Sequence, residues 1–211
     1  MVSYILLFFL LYCYAIWMKS RQPIMKGREG EALVAKTLKR LSTSDYSVLH
    51  NVMLRTGTQL TQIDHIIISV YGIFIIETKH YKGIIIGSDK QYYWQQRIGK
   101  KRFQLRSPIK QNIAHVLAVS QNLNLDQRVL IPMVVFTGQC TLRVHTKSHV
   151  LYLSQLMSTI RKYQTKSFTP DEVVQLTEQL RHLNVDCKKT RKEHIKQINQ
   201  KKKLIHEKSK Y

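Results

Sequence analysis

Two apolar runs dominate the pattern of the chain. IDHIIISV covers Ile63–Val70 and IFIIETKHY covers Ile73–Tyr81, with Tyr71-Gly72 between them. β-Branched residues fill both runs, which predicts a hairpin turning at Tyr71-Gly72 with Val70 facing Ile73. Their near-continuous apolar character implies cover on both faces, as at the centre of an α/β sheet. A looser alternation over Tyr46–Leu54 predicts a preceding strand, and Thr56–Thr61 a turn region around Gly57. Further strands are expected at Gly83–Ile86, around Tyr92–Gln95, at Val129–Phe136 with an interruption at Pro132, and at His149–Leu153. Helical spacing appears first in Val34, Ala35, Leu38 and Leu41, predicting a helix from Gly27 to about Leu41. Pro108 opens a second helix running to Leu123, because proline is tolerated in a first turn. Thr169-Pro170-Asp171-Glu172 starts a third, continued by Val173, Leu176 and Leu180. No internal repeat is visible.

The ends differ from the middle. Residues 2–18, VSYILLFFLLYCYAIWM, carry no charge. At 1.5 Å rise per residue this run reaches the low end of a bilayer span. Tyr4 and Trp17 suit the two interfaces, and Lys19 and Arg21 come directly after the run, so the positive-inside rule places the rest of the chain in the cytoplasm. A cleaved signal peptide would want its basic residues in front of the run. The expectation is a single-pass anchor in the cell membrane, with Pro23 ending it. At the other end, Lys188, Lys189, Arg191, Lys192, Lys196, Lys201, Lys202, Lys203, Lys208 and Lys210 make a basic tail, expected to be partly helical or disordered. The organisation expected is therefore an anchor at 1–21, a catalytic-type domain at 22–153, C-terminal helices at 154–186 and the tail at 187–211.

Charge narrows the partners. Lysine and arginine total 34 against 13 acidic residues, a formal net charge of +21. So large an excess repels itself in a folded chain and implies a polyanion, either nucleic acid or an anionic membrane surface. Arg97, Lys100, Lys101 and Arg102 are expected to form a basic loop. The tail suits DNA phosphates or anionic lipid equally. Cys13, Cys140 and Cys187 form no C-x-x-C pair, so neither a zinc site nor a redox motif is indicated. There is no G-x-x-x-x-G-K-[ST] phosphate loop and no nucleophile elbow, which removes support for NTP hydrolysis and acyl transfer in this chain.

The chemistry lies where polar residues interrupt the apolar strands. Side chains alternate along a strand, so Ile73, Ile75, Glu77 and Lys79 share a face. With the turn at Tyr71-Gly72, Asp64 falls opposite Lys79 and diagonal to Glu77. Charges at the end of an apolar sheet must be paired or bind a metal. An isolated E-x-K is more often a plain salt bridge. Two carboxylates with a lysine, however, suit Mg²⁺ or Mn²⁺ and phosphate: hard oxygens hold the ion, and the lysine stabilises charge on the phosphorus. Glu31 falls on the apolar face of the first helix and is a third acidic candidate. His65 and His80 flank the set and are expected to be hydrogen-bonded neighbours rather than ligands.

From Gly27 to about Asn122 the chain resembles the nuclease-related domain family, a branch of the PD-(D/E)XK superfamily. The residues that carry the resemblance are GREGE at Gly27–Glu31, QIDHIIISVYGIFIIETKHYKG at Gln62–Gly83, Trp94, and SPIKQN at Ser107–Asn112. Ser107 stands where that family usually has asparagine. The resemblance implies a restriction-endonuclease-like core, a central mixed sheet flanked by helices. It implies that Asp64 and Glu77 hold the metal, that Lys79 is the catalytic lysine, that Glu31 is the helix glutamate, and that Gln111 is a polar residue of the second helix facing the site. The expected function is a membrane-anchored, metal-dependent nuclease hydrolysing phosphodiester bonds, of DNA. The alternative is a non-catalytic nucleic-acid-binding or membrane scaffold that retains the fold.

Overall fold

The computed structural model describes residues 27–208 and the isolated positions 12, 14 and 25. The anchor expected at 2–18 lies outside the described residues, and among those described no helix is long and apolar enough to cross a membrane.

The chain is helical over 27–38 (α1). Three antiparallel-linked strands come next: β1 (Tyr46–Thr56), β2 (Gln59–Ser69) and β3 (Gly72–Lys79). Then come β4 (Gly83–Ser88), β5 (Tyr93–Ile98) and β6 (Lys101–Arg106). Helix α2 (Pro108–Leu123) begins where the proline predicted, with Ser107 as its N-cap: the Ser107 hydroxyl accepts from the Lys110 N–H. A serine thus does at this position what asparagine does elsewhere. A single 3-10 turn at Gln127–Val129 leads into β7 (Leu130–Phe136), followed by β8 (Cys140–His145) and β9 (His149–Tyr152). Helices α3 (Leu153–Ile160), α4 (Pro170–Leu183) and α5 (Lys188–Lys208) complete the described chain.

One central sheet was the expectation; there are two. The larger has the order β1-β2-β3-β7-β9 and the smaller β6-β5-β4-β8. The expected basic loop is part of the smaller sheet: Arg97 lies in β5 and Lys101 and Arg102 in β6, paired antiparallel. The larger sheet is mixed, since β3 pairs β2 antiparallel and β7 parallel. Both its faces are covered, as the apolar runs required. On one face Ile66, Ile68, Ile73 and Ile75 pack with Val116, Val119 and Leu123 of α2 and with Val173, Leu176 and Leu180 of α4. On the other, Ile67, Phe74 and Ile76 pack with Val34 and Leu38 of α1 and Leu156 and Ile160 of α3. The small sheet joins this body through Ile85 and Trp94, which meet Ile109, Val134 and Phe136.

Two details hold the centre. Pro132 sits in β7 with strands on both sides, opposite Ile75. Proline has no N–H for a ladder. At that place the buried Asn112 amide of α2 donates to the carbonyls of both Ile75 and Met133, each at 2.9 Å. Helix α1 approaches the end of β3 through Gly30: a Cβ there would stand 2.8 Å from both His80 Cβ and Thr137 Oγ1. The basic tail is helical where described. Gln197 of α5 accepts from the Leu60 N–H and donates to the Thr58 carbonyl, clipping the helix to the tip of the β1–β2 hairpin.

Candidate active site

The hairpin register differs from the expected one. Ser69 pairs with Gly72, so the turn is Val70-Tyr71 and not Tyr71-Gly72. The cause is Ser69, whose hydroxyl donates to the Gly72 carbonyl and accepts from the Tyr71 N–H. Gly72 takes the first rung of β3 because β7 passes close by: a Cβ there would come within 3.0 Å of the Val129 carbonyl. Continued along the strands, this register puts Asp64 opposite Glu77 rather than Lys79. Regular pairing ends at His65 and Ile76. Beyond it the Thr78 N–H donates to Asp64 Oδ2 at 2.8 Å. On its other side Asp64 faces a break in the β1–β2 ladder, where Asn51 takes a φ of 53° between the rungs His50–His65 and Val52–Ile63. Asp64 therefore lies where β2 loosens from both neighbours.

Glu77 is on the α2 face of β3, in line with Ile73 and Ile75. It is buried, and both its oxygens are engaged. Oε1 lies 2.5 Å from Lys79 Nζ, and Oε2 accepts or shares a hydrogen bond with His115 Nε2 at 2.8 Å. Lys79 Nζ also donates to Gln111 Oε1 at 3.0 Å. Burial alone would push the Glu77 carboxyl up, but Lys79 and His115 together outweigh it and bring it down to about 2. Burial likewise disfavours the Lys79 charge, yet Glu77 first, and Asp64 after it, hold its pKa above the ordinary value. Asp64 goes the other way. Burial and the charge of Glu77 push it well above the usual range, against the Thr78 N–H and Lys79. Glu31 is also raised, by burial first and then by Glu77, with Arg28 and Lys79 opposing.

The five residues expected at the site are thus within electrostatic or hydrogen-bonding reach of one another. His65 and His80 make their hydrogen bonds outside this set, although His65 feels the charge of Glu77. His65 shares a 2.7 Å contact with His50 through their Nδ1 atoms, and burial holds its pKa down to about 3. His80 Nδ1 meets Thr137 Oγ1 at 3.0 Å. The residue missed is His115. It lies one helical turn after Gln111, and that i, i+4 spacing on a helix with a buried face was the available signal.

Three carboxylates, Glu31, Asp64 and Glu77, lie around the Lys79 ammonium here; burial first, and the charge of Glu77 after it, raises the pKa of Glu31 and Asp64. Among the described residues no three His, Cys, Asp or Glu side chains form a ready-made metal cluster. The donor set on offer is a pair of carboxylates. Carboxylate oxygens are the donor type that hard cations take; here both Glu77 oxygens are engaged by Lys79 and His115, and Asp64 Oδ2 by the Thr78 N–H.

Among known proteins, the nuclease-related domain family is matched over residues 26–137. An uncharacterized protein of Bacillus anthracis is 37% identical over 188 residues, covering 87% of this chain and 88% of its own length. A crystal structure of a protein of unknown function overlaps 80% of this chain and 94% of its own, at 14% identity and a TM-score of 0.36.

Proposed function

Because this chain belongs to the nuclease-related domain family, we propose that it is a divalent-metal-dependent nuclease hydrolysing phosphodiester bonds, of DNA, held at the cell membrane by residues 2–18 with the domain on the cytoplasmic side. One observation carries the catalytic part. Asp64, Glu77 and Lys79 sit together where the central strands separate: the Thr78 N–H holds Asp64, Lys79 Nζ donates to Glu77, and Gln111 and His115 of α2 hold Lys79 and Glu77. A charged set at the strand ends of so apolar a sheet has no structural purpose that hydrophobic residues would not serve better.

Asp64 and Glu77 would hold Mg²⁺ or Mn²⁺, which when bound supplies an activated water and polarises a phosphoryl oxygen. Lys79 keeps its charge at neutral pH and meets the negative charge that builds on phosphorus. Gln111 fixes the Lys79 ammonium from the helix side. His115 holds the far oxygen of Glu77, leaving the carboxylate one orientation. Helix α5 adds a basic arm for DNA phosphates or for anionic lipid near the anchor.

A binding scaffold is the second reading, favoured by one feature: both Glu77 oxygens are already occupied by protein donors. The purified full chain, incubated with plasmid and with single-stranded DNA in Mg²⁺, Mn²⁺ or EDTA, separates the two. Cleavage that needs metal and disappears in a Glu77→Ala, Lys79→Ala variant is the expected result. Tight binding with no cutting in any metal would leave the scaffold.

A further inference from the structure

The hairpin β5–β6 exposes cations and aromatic rings together. From Gln91 to Ser107 the sequence carries Arg97, Lys100, Lys101, Arg102 and Arg106 and no acidic residue. Tyr92 is 72% exposed, Phe103 46% and Tyr93 38%. In the pairing, Tyr93 stands opposite Arg106, Gln95 opposite Gln104 and Arg97 opposite Arg102. Trp94 is buried in the core beneath this sheet, with Leu105 packed against that core. Alternation therefore puts the three pairs just named on the outer face. A groove of about 550 Å³ opens at this hairpin, walled by Tyr93, Gln95, Arg102 and Gln104 of that face together with Trp94 and Phe103 of the other.

We propose that this outer face binds single-stranded nucleic acid. Bases stack on Tyr93, while Arg97, Arg102 and Arg106 hold phosphates and the amides of Gln95 and Gln104 meet base edges. The chemistry of the face selects this partner. Three arginines on this face, Arg97, Arg102 and Arg106, in a hairpin without an acidic residue, call for a polyanion. A tyrosine ring set beside those cations suits a strand whose base faces are free, which a duplex does not present. A lipid surface has no use for a groove lined with side-chain amides. The volume matches small-ligand clefts, a nucleotide unit rather than a double helix.

The platform gives the nuclease reading its substrate class, and rests on that reading only for where the strand goes next. β6 runs through Ser107 directly into α2. Lys110 stands 5.5 Å from the centre of the Tyr92 ring, and its neighbour Gln111 binds Lys79. Platform and site thus meet at the first turn of one helix.

The test measures binding apart from cutting. The full chain is held in EDTA with a labelled oligothymidylate, with a duplex of equal length, and with vesicles of anionic phospholipid, and affinity is measured by fluorescence anisotropy or sedimentation. Single strands should bind at least about tenfold more tightly than the duplex. Tyr93→Ala with Arg102→Ala should weaken them about tenfold or more, while Tyr93→Phe retains the affinity. Arg102→Ala alone should reduce the salt slope by about one. Gln104→Glu, on an exposed edge strand, gives the same loss by repulsion and serves if the double variant misfolds. Undiminished binding in these variants overturns the platform, as does binding to vesicles alone. Sensitive binding without any cleavage would then keep the platform and end the nuclease reading, and cleavage with insensitive binding would do the reverse.

Discussion

Asp64 is held against its own electrostatics. Its folded pKa lies above the ordinary 3.8, so between those two values the folded state carries more protons than the unfolded one. Stability contributed here is present in acid and lost as pH rises through that window. Asp64→Asn keeps an acceptor for the Thr78 N–H and removes the charge. In metal-free buffer it should raise the melting temperature above pH 4, with a gap that widens as pH rises and closes in acid. Divalent ion should stabilise the parent chain and not the variant. A lower melting temperature for Asp64→Asn throughout would contradict this. His65 carries a second pH signature on the opposite face. Its folded pKa of about 3 lies below the free value of 6.5. Its contribution is therefore complete above 6.5 and lost as pH falls toward 3, by up to about 1.4 kcal/mol per pH unit. Urea midpoints taken down to pH 4 should show that slope, and His65→Asn should flatten it.

At the scale of elements, two contacts fix how the site is framed. Asn112 links β3 to β7 where Pro132 cannot. Asn112→Ala leaves two buried carbonyls short of a donor and should cost about 2–3 kcal/mol in chemical denaturation. Gly30→Val would drive branched carbons into His80 and Thr137. It should move α1, and Glu31 with it, and lower activity more than it lowers stability; kinetics beside a melting curve would tell. These elements were unequally legible. Helix α2 and the β2–β3 hairpin were readable because their periodicity is carried by buried residues. Strands β6 and β8 were passed over: Cys140, Leu142 and Val144 do alternate with polar residues in β8, but that apolar face is short and only half-buried, and in β6 cations crowd Phe103 and Leu105. The turn was misplaced for a related reason. A glycine after a tyrosine reads as a turn from sequence, whereas here a serine hydroxyl closes it and the glycine makes room for β7. The carboxylates and lysine could be found as charges in apolar strands. His115 was missed although Gln111, one turn before it on the same helix, was already expected to face them.

For the whole molecule, the parallel pairing of β3 with β7 sets the order in which the chain can be completed. Glu31, Asp64, Glu77 and Lys79 are all made before the strand that covers the second edge of β3. Between Lys79 and Leu130 lie about 50 residues, which a ribosome adds in roughly 3–10 s. During that interval one of the most apolar strands in the chain has a bare edge on its β7 side. A chain cut short before α2 would carry Glu31, Asp64, Glu77 and Lys79 beside that bare apolar edge without Gln111 and His115, and should aggregate where the whole chain does not, which light scattering of the two would show.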